Sequence, residues 1–255
     1  MRIGFLTIAV SSMLCLVLMA SPGPAQTAYP DYKAVYDEWR RQVDANPQLS
    51  LPPLHPKYMP PSDLRNATLN LLSIGPNLTP FIVEELRTET DLHRQIYLMY
   101  LLDRVSGIDL YHCIDAKYIE DAAAALIKQF IAKWDSGNFL KASELLKSEW
   151  KDPVDGTAPE KIDPCSIIPI RRYGAYALPF IFESLNQRNS SKLFAAYLII
   201  TGESDQYAQY IKSPSTMFQI RGEKLSHIKA WARENETKFE ELGDLYTRIK
   251  AIAIQ

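Results

Sequence analysis

The chain has 255 residues, with 28 basic against 30 acidic side chains and a net charge of −2. Without that excess of positive charge, composition speaks against a nucleic-acid binder and against attachment to anionic lipid. The length suits a short leader followed by one large domain or two small ones.

Residues 1–25 read as a secretory signal peptide. Arg2 is the sole charge before Asp31, Ile3 to Ala20 is apolar apart from small hydroxyl residues, and Ser21-Pro22-Gly23-Pro24 breaks any helix. Gly23 and Ala25 are the small residues expected before a cut at Gln26. An uncleaved anchor fits less well, since a spanning helix needs about 20 apolar residues and this run is interrupted by Ser11-Ser12. A lipoprotein fits poorly, because Cys15 lies inside the apolar run. The expected destination is outside the cytoplasm, periplasmic or extracellular. Cleavage leaves 27 basic and 30 acidic side chains, a net charge of −3, and no later run of transmembrane length.

Residues 26–61 comprise an amphipathic helix and a Pro-rich linker. Tyr32, Val35, Tyr36, Trp39 and Val43 recur at helical steps, and six prolines follow between Asn46 and Pro61. Residues 62–150 and 164–255 read as helices throughout, joined by a polar linker loop at 151–163. The spacing predicts helices over Ser62–Gly75, Thr79–Thr88, Thr90–Ser106, Asp115–Ser136 and Asn138–Trp150. Further helices are predicted over Pro164–Tyr173, Ala177–Gln187, Ser190–Thr201, Ser204–Lys212, Thr216–Asn235 and Thr237–Ile254. Ser62, Thr79, Asp115 and Asn138 are of N-cap type, Pro80 suits a first helical position, and Gly75, Gly107 and Gly137 suit helix stops.

The two helical regions resemble each other. Gly75 to Leu86 (GPNLTPFIVEEL) set against Gly174 to Leu185 (GAYALPFIFESL) agrees in six of twelve columns at a constant offset of 99 residues. Ile127-Lys128-Gln129-Phe130 then matches Ile228-Lys229-Ala230-Trp231, and Phe139 matches Phe239, at nearly the same offset. Repeated helical units bury their apolar faces on one another. The expected fold is therefore all-α, with two tandem copies of a roughly 100-residue, multi-helix unit. The Gly-x4-Pro-Phe-Ile-x-Glu-x-Leu segment resembles the first part of a HEAT-like helical pair. The stretch Ile228–Phe239 is similar to helix endings in exported bacterial proteins of that kind. The resemblance implies right-handed stacked helical hairpins, an α-solenoid, and often a protein-binding surface; it implies no shared chemistry. The second copy departs from it where Leu178 replaces the hydroxyl of Thr79.

Candidates for chemistry are few. His55, His93, His112 and His227 show no metal-binding spacing. His112-Cys113-x-Asp115 offers three ligand types, without the second pair that a structural zinc site needs. Cys165, near a helix start, could serve a Cys–His pair. With Cys113 it could instead form a disulfide in an oxidising compartment, or both could be buried thiols. Glu84 and Glu183 occupy matching places near helix starts, where a carboxylate favours the helix dipole. Tyr97, Tyr100, Tyr111 and Tyr118, and Tyr173, Tyr176, Tyr197, Tyr207 and Tyr210, form two clusters, read as core packing before interface. Glycosylation-type sequons begin at Asn66, Asn77, Asn189 and Asn235. No phosphate-cradling loop or nucleophile elbow occurs. No catalytic, cofactor-binding or metal residue is assigned and no cofactor is expected. The expected function is a non-enzymatic binding or scaffolding module for another protein or cell-envelope component, without nucleic acid. The alternatives are a hydrolase-type site in the groove between the copies and a structural envelope protein.

Overall fold

The computed structural model describes residues 30–46, 62–111, 114, 118–150, 159–212 and 218–255. The expected leader, most of the Pro-rich linker, residues 151–158 and the His112-Cys113-x-Asp115 group lie outside the described residues. Within them the chain is all-α, with no strand.

Helix α1 (Pro30–Asp44) packs on α2 (Ser62–Ile74) through the predicted stripe, burying Tyr36, Trp39 and Val43. Trp39 lies edge-on to Tyr97, and Tyr36 edge-on to Phe81. Helices α3 (Thr79–Thr88), α4 (Leu92–Ser106), α5 (Ile119–Asp135) and α6 (Ala142–Glu149) complete the N-terminal half. Helix α4 touches α2, α3 and α5, so both its faces must be apolar; Ile96 to Met99 and Leu101-Leu102 are all buried.

The C-terminal half runs through α7 (Ile168–Arg171), α8 (Leu178–Gln187), α9 (Ser191–Ile200), α10 (Ser204–Lys212), α11 (Arg221–Asn235) and α12 (Asp244–Ile254). Leu193 to Leu198 of α9 are wholly buried, as a helix that is apolar all round must be when α7, α8 and α10 surround it. Helix α8 sits at the centre, touching α6, α9, α11 and α12.

The matched segments have the same local course. Gly75 and Gly174 both take positive φ and both open a 3-10 turn, Gly75–Leu78 and Gly174–Ala177. A ten-residue helix with proline at its second position follows each turn. The next helix in each half is capped by a side chain: Asp91 accepts from the Arg94 N–H and Ser190 from the Leu193 N–H. Thr79 is not an N-cap. Its N–H bonds the Pro76 carbonyl, the 3-10 turn runs straight into α3, and no free N–H awaits its hydroxyl. Asn138 likewise lies in a turn that delays α6 to Ala142.

Each glycine turn reaches across the molecule. The Gly75–Leu78 turn packs on the 3-10 stretch Glu236–Leu242 near the C-terminus. There the Asn77 amide donates to the Thr237 carbonyl at 3.3 Å, and its Oδ1 accepts from the Glu241 N–H at 3.2 Å. The Gly174–Ala177 turn packs on α6, and Tyr176 lies edge-on to Phe139 at 5.5 Å and to Trp134 at 5.8 Å. The N-terminal half's turn thus rests on the C-terminal half, and the C-terminal half's turn rests on the N-terminal half.

Candidate functional site

Polar side chains from distant segments converge where the halves meet. Asp103 comes from the last turn of α4, Asp109 and Tyr111 from the chain just after it, and Arg171 from the last residue of α7. Arg171 Nη1 lies 2.6 Å from Asp109 Oδ2, and Nη2 donates to Asp103 Oδ1 at 3.2 Å. The Asp109 N–H donates to the Arg171 carbonyl at 3.2 Å, fastening backbone as well as side chain. Tyr111 donates its hydroxyl to Asp103 Oδ2 at 3.4 Å and its N–H to Asp109 Oδ1 at 3.1 Å. Arg171 and Asp109 are almost fully buried, with side-chain exposures of 7% and 2%.

The cluster holds two carboxylates and one guanidinium. Burial, then the nearby Asp109 charge, push the Asp103 carboxyl up to about 6, against the pull of Arg171. Burial and the same two carboxylates raise the Tyr111 phenol well above its ordinary range, so it stays a neutral donor. A guanidinium gripped by two carboxylates in this way fastens α4 to α7.

A second polar group lies inside the C-terminal half. Lys224, buried on α11, donates to Asn189 Oδ1 at 2.8 Å and stands over the rings of Phe194 and Tyr210. Burial pulls its ammonium down to about 8. Three residues on, His227 Nε2 lies 2.6 Å from Glu203 Oε2, and the imidazole is ringed by Phe194, Tyr197 and Phe218. Phe218 has φ +54, the left-handed region that a bulky side chain rarely adopts. Nothing in the sequence pairs these residues. The signal available was slight: a lysine and a histidine three apart on one helix, with their partners on two other elements.

The singled-out residues fall as follows. Cys165 is disulfide-bonded, so it carries no thiolate for a Cys–His pair. Its N–H donates to Asp163 Oδ1 at the helix start, while its expected partner, Cys113, lies outside the described residues. Glu84 and Glu183 do not converge. Glu84 pairs with Arg87, three residues along, and Glu183 pairs with Lys147 of α6. His93 lies against Tyr97 with centroids 4.8 Å apart and the ring planes tilted by 56°, while His55 and His112 lie outside the described residues. Tyr97, Tyr173, Tyr176, Tyr197 and Tyr210 are core residues, Tyr100, Tyr111 and Tyr207 are half-buried, and Tyr118 is exposed. Among the sequon asparagines, Asn66 is exposed, whereas Asn77, Asn189 and Asn235 use their amides in hydrogen bonds within the fold.

Among the described residues no three His, Cys, Asp or Glu side chains are placed to hold a metal ion, and no helix is long and apolar enough to cross a membrane. No family model, no curated protein and no solved structure matches the chain.

Proposed function

We propose that the protein is an exported, non-catalytic binding or scaffolding module that presents helix surfaces to another protein or to a cell-envelope component. The observation that carries this reading is the fate of the polar groups that meet inside the molecule. Arg171 is committed to Asp103 and Asp109, Lys224 to Asn189, and His227 to Glu203. These groups tie α7 and α11 to other segments of the fold, and each has its charged partner or hydrogen-bond acceptor within the protein. A hydrolytic site needs a base or nucleophile turned toward a substrate. Large apolar side chains are left outward on helix faces and in turns, Leu69, Leu140, Ile220 and Ile254 among them.

We read the two halves as tandem copies of one helical-hairpin unit of the HEAT-like kind. Support comes from the six shared residues of the two glycine–proline segments, their common 3-10-to-α course, and the reciprocal packing of the two glycine turns. In an open solenoid a unit touches only its neighbours in sequence. Here Asn77 bonds residues 160 and 164 positions away, which draws the ends of the stack together. The signal-like residues 1–25 support export.

The test places photo-crosslinking side chains singly at Leu69, Leu140 and Ile220 of the full chain, expressed in its own host. The reading predicts that one macromolecular species is crosslinked from an outer face, at unchanged folding stability. Equal background from all three positions, together with turnover in a hydrolase substrate screen, would overturn it in favour of the groove enzyme.

A further inference from the structure

We propose that Asn66 is an N-glycosylation site, the one of the four sequon asparagines that can carry a sugar in the folded protein. The proposal rests on the export reading above, since the chain meets an oligosaccharide donor only outside the cytoplasm. Transfer takes place before the chain folds, so all four sequons are open to it, and the fold then decides which modified chains survive. Asn77 is 7% exposed and clasped by the Thr237 carbonyl and the Glu241 N–H, so a sugar there would have to break a contact between the halves. At Asn189 the amide nitrogen is turned to the Gln219 carbonyl at 3.0 Å while Oδ1 accepts from the buried Lys224. At Asn235 the nitrogen is turned to the Trp231 carbonyl at 2.9 Å. A sugar on either nitrogen would crowd those contacts.

Asn66 is placed differently. It lies on the side of α2 away from Leu64, Ala67 and Leu71, the face that the helix buries. Arg65, Leu69 and Asn70 are exposed with it. Among the described residues its side chain makes no hydrogen bond, so replacing one amide hydrogen by a sugar breaks none of them. Leu69, three residues on, shares its face and is 52% exposed. The first sugars of a glycan on Asn66 therefore lie over an apolar side chain that the fold leaves in water. The donor is an oligosaccharide joined through pyrophosphate to a membrane polyprenol. Asn66 Nδ2 attacks the anomeric carbon, a C–N bond forms, the bond from that carbon to the pyrophosphate oxygen breaks, and the lipid pyrophosphate leaves. The displaced amide proton passes to a carboxylate of the transferase.

The test takes the folded protein from its own host and fragments the peptide Asn66–Arg87 by mass spectrometry. Trypsin releases that peptide after Arg65, and it holds both Asn66 and Asn77. The expected result is a glycan on Asn66 and none on Asn77, with the sugar lost from the whole chain in Asn66→Gln. Reading the first residue of the same sample separates this claim from export. A chain that begins at Gln26 with Asn66 bare overturns the glycan and leaves export standing; a chain with its leader intact and Asn66 bare overturns both. A glycan found on Asn77 in the folded protein would also overturn the proposal.

Discussion

The two glycine turns carry one sequence motif and are held by different physics. At the first, Asn77 is clasped by two backbone groups of the Glu236–Leu242 stretch. At the second, the matching residue is Tyr176, whose ring packs edge-on against Phe139 and Trp134. The glycines differ too. A Cβ at Gly174 would meet the Ser106 carbonyl oxygen at 2.3 Å and Ile108 Cγ1 at 2.6 Å, whereas one at Gly75 would meet the Lys238 side chain at 3.1 Å. One turn is pressed into rigid backbone and aromatic rings, the other into a side chain that can swing aside. The same local course can therefore be tightly or loosely determined by what it packs on.

This contrast can be broken or sharpened by substitution, with urea unfolding as the readout. Gly174→Ala has the largest expected effect, because positive φ and a clash with backbone act together; a loss of about 3 kcal/mol or more, or failure to fold, is predicted. Phe139→Ala opens a cavity among Phe130, Trp134, Tyr173 and Tyr176 and is predicted to cost about 3–5 kcal/mol. Asn77→Ala leaves the Glu241 N–H without its acceptor and is predicted to cost about 1–3 kcal/mol. Gly75→Ala meets only the unfavourable φ and a yielding lysine, at about 1–2 kcal/mol. Equal losses for Gly75→Ala and Gly174→Ala would remove the distinction between the turns.

The smallest effect belongs to the other buried charge. Lys224→Met replaces an ammonium that burial disfavours by an apolar side chain of similar length, and Asn189 is exposed enough to rehydrate. At neutral pH the variant is predicted to match the native chain or exceed it by about 1 kcal/mol. The folded lysine titrates near 8 and the unfolded one near 10.5, so the native chain recovers stability as pH rises through that window. The variant's advantage should shrink over the same range. An advantage that is unchanged at pH 10 would contradict this account of Lys224.

Much of the helix pattern was legible because it rests on local chemistry. Glycine, proline and the spacing of apolar residues mark both turns, and the helical spacing of Tyr36, Trp39 and Val43 marks the face that α1 buries. Thr79 has the N-cap residue type without the role, because an N-cap signal assumes that a helix begins from extended chain, and here a 3-10 turn leads in. The charged clusters were not legible at all. Asp109 and Arg171 lie 62 positions apart, and nothing in either neighbourhood names the other. A buried ion pair is created by tertiary packing, and each member alone looks like an ordinary surface residue.

The most direct test of the reciprocal arrangement is to cut the chain between its halves. A specific protease site placed within residues 151–158 of the folded full-length protein would be cleaved, the disulfide reduced, and the product run on a sizing column with light scattering. If each half rests its glycine turn on the other, the two pieces will elute together as a 1:1 complex, and Phe139→Ala will release them. Separate elution of two folded pieces from the unsubstituted protein would contradict the account.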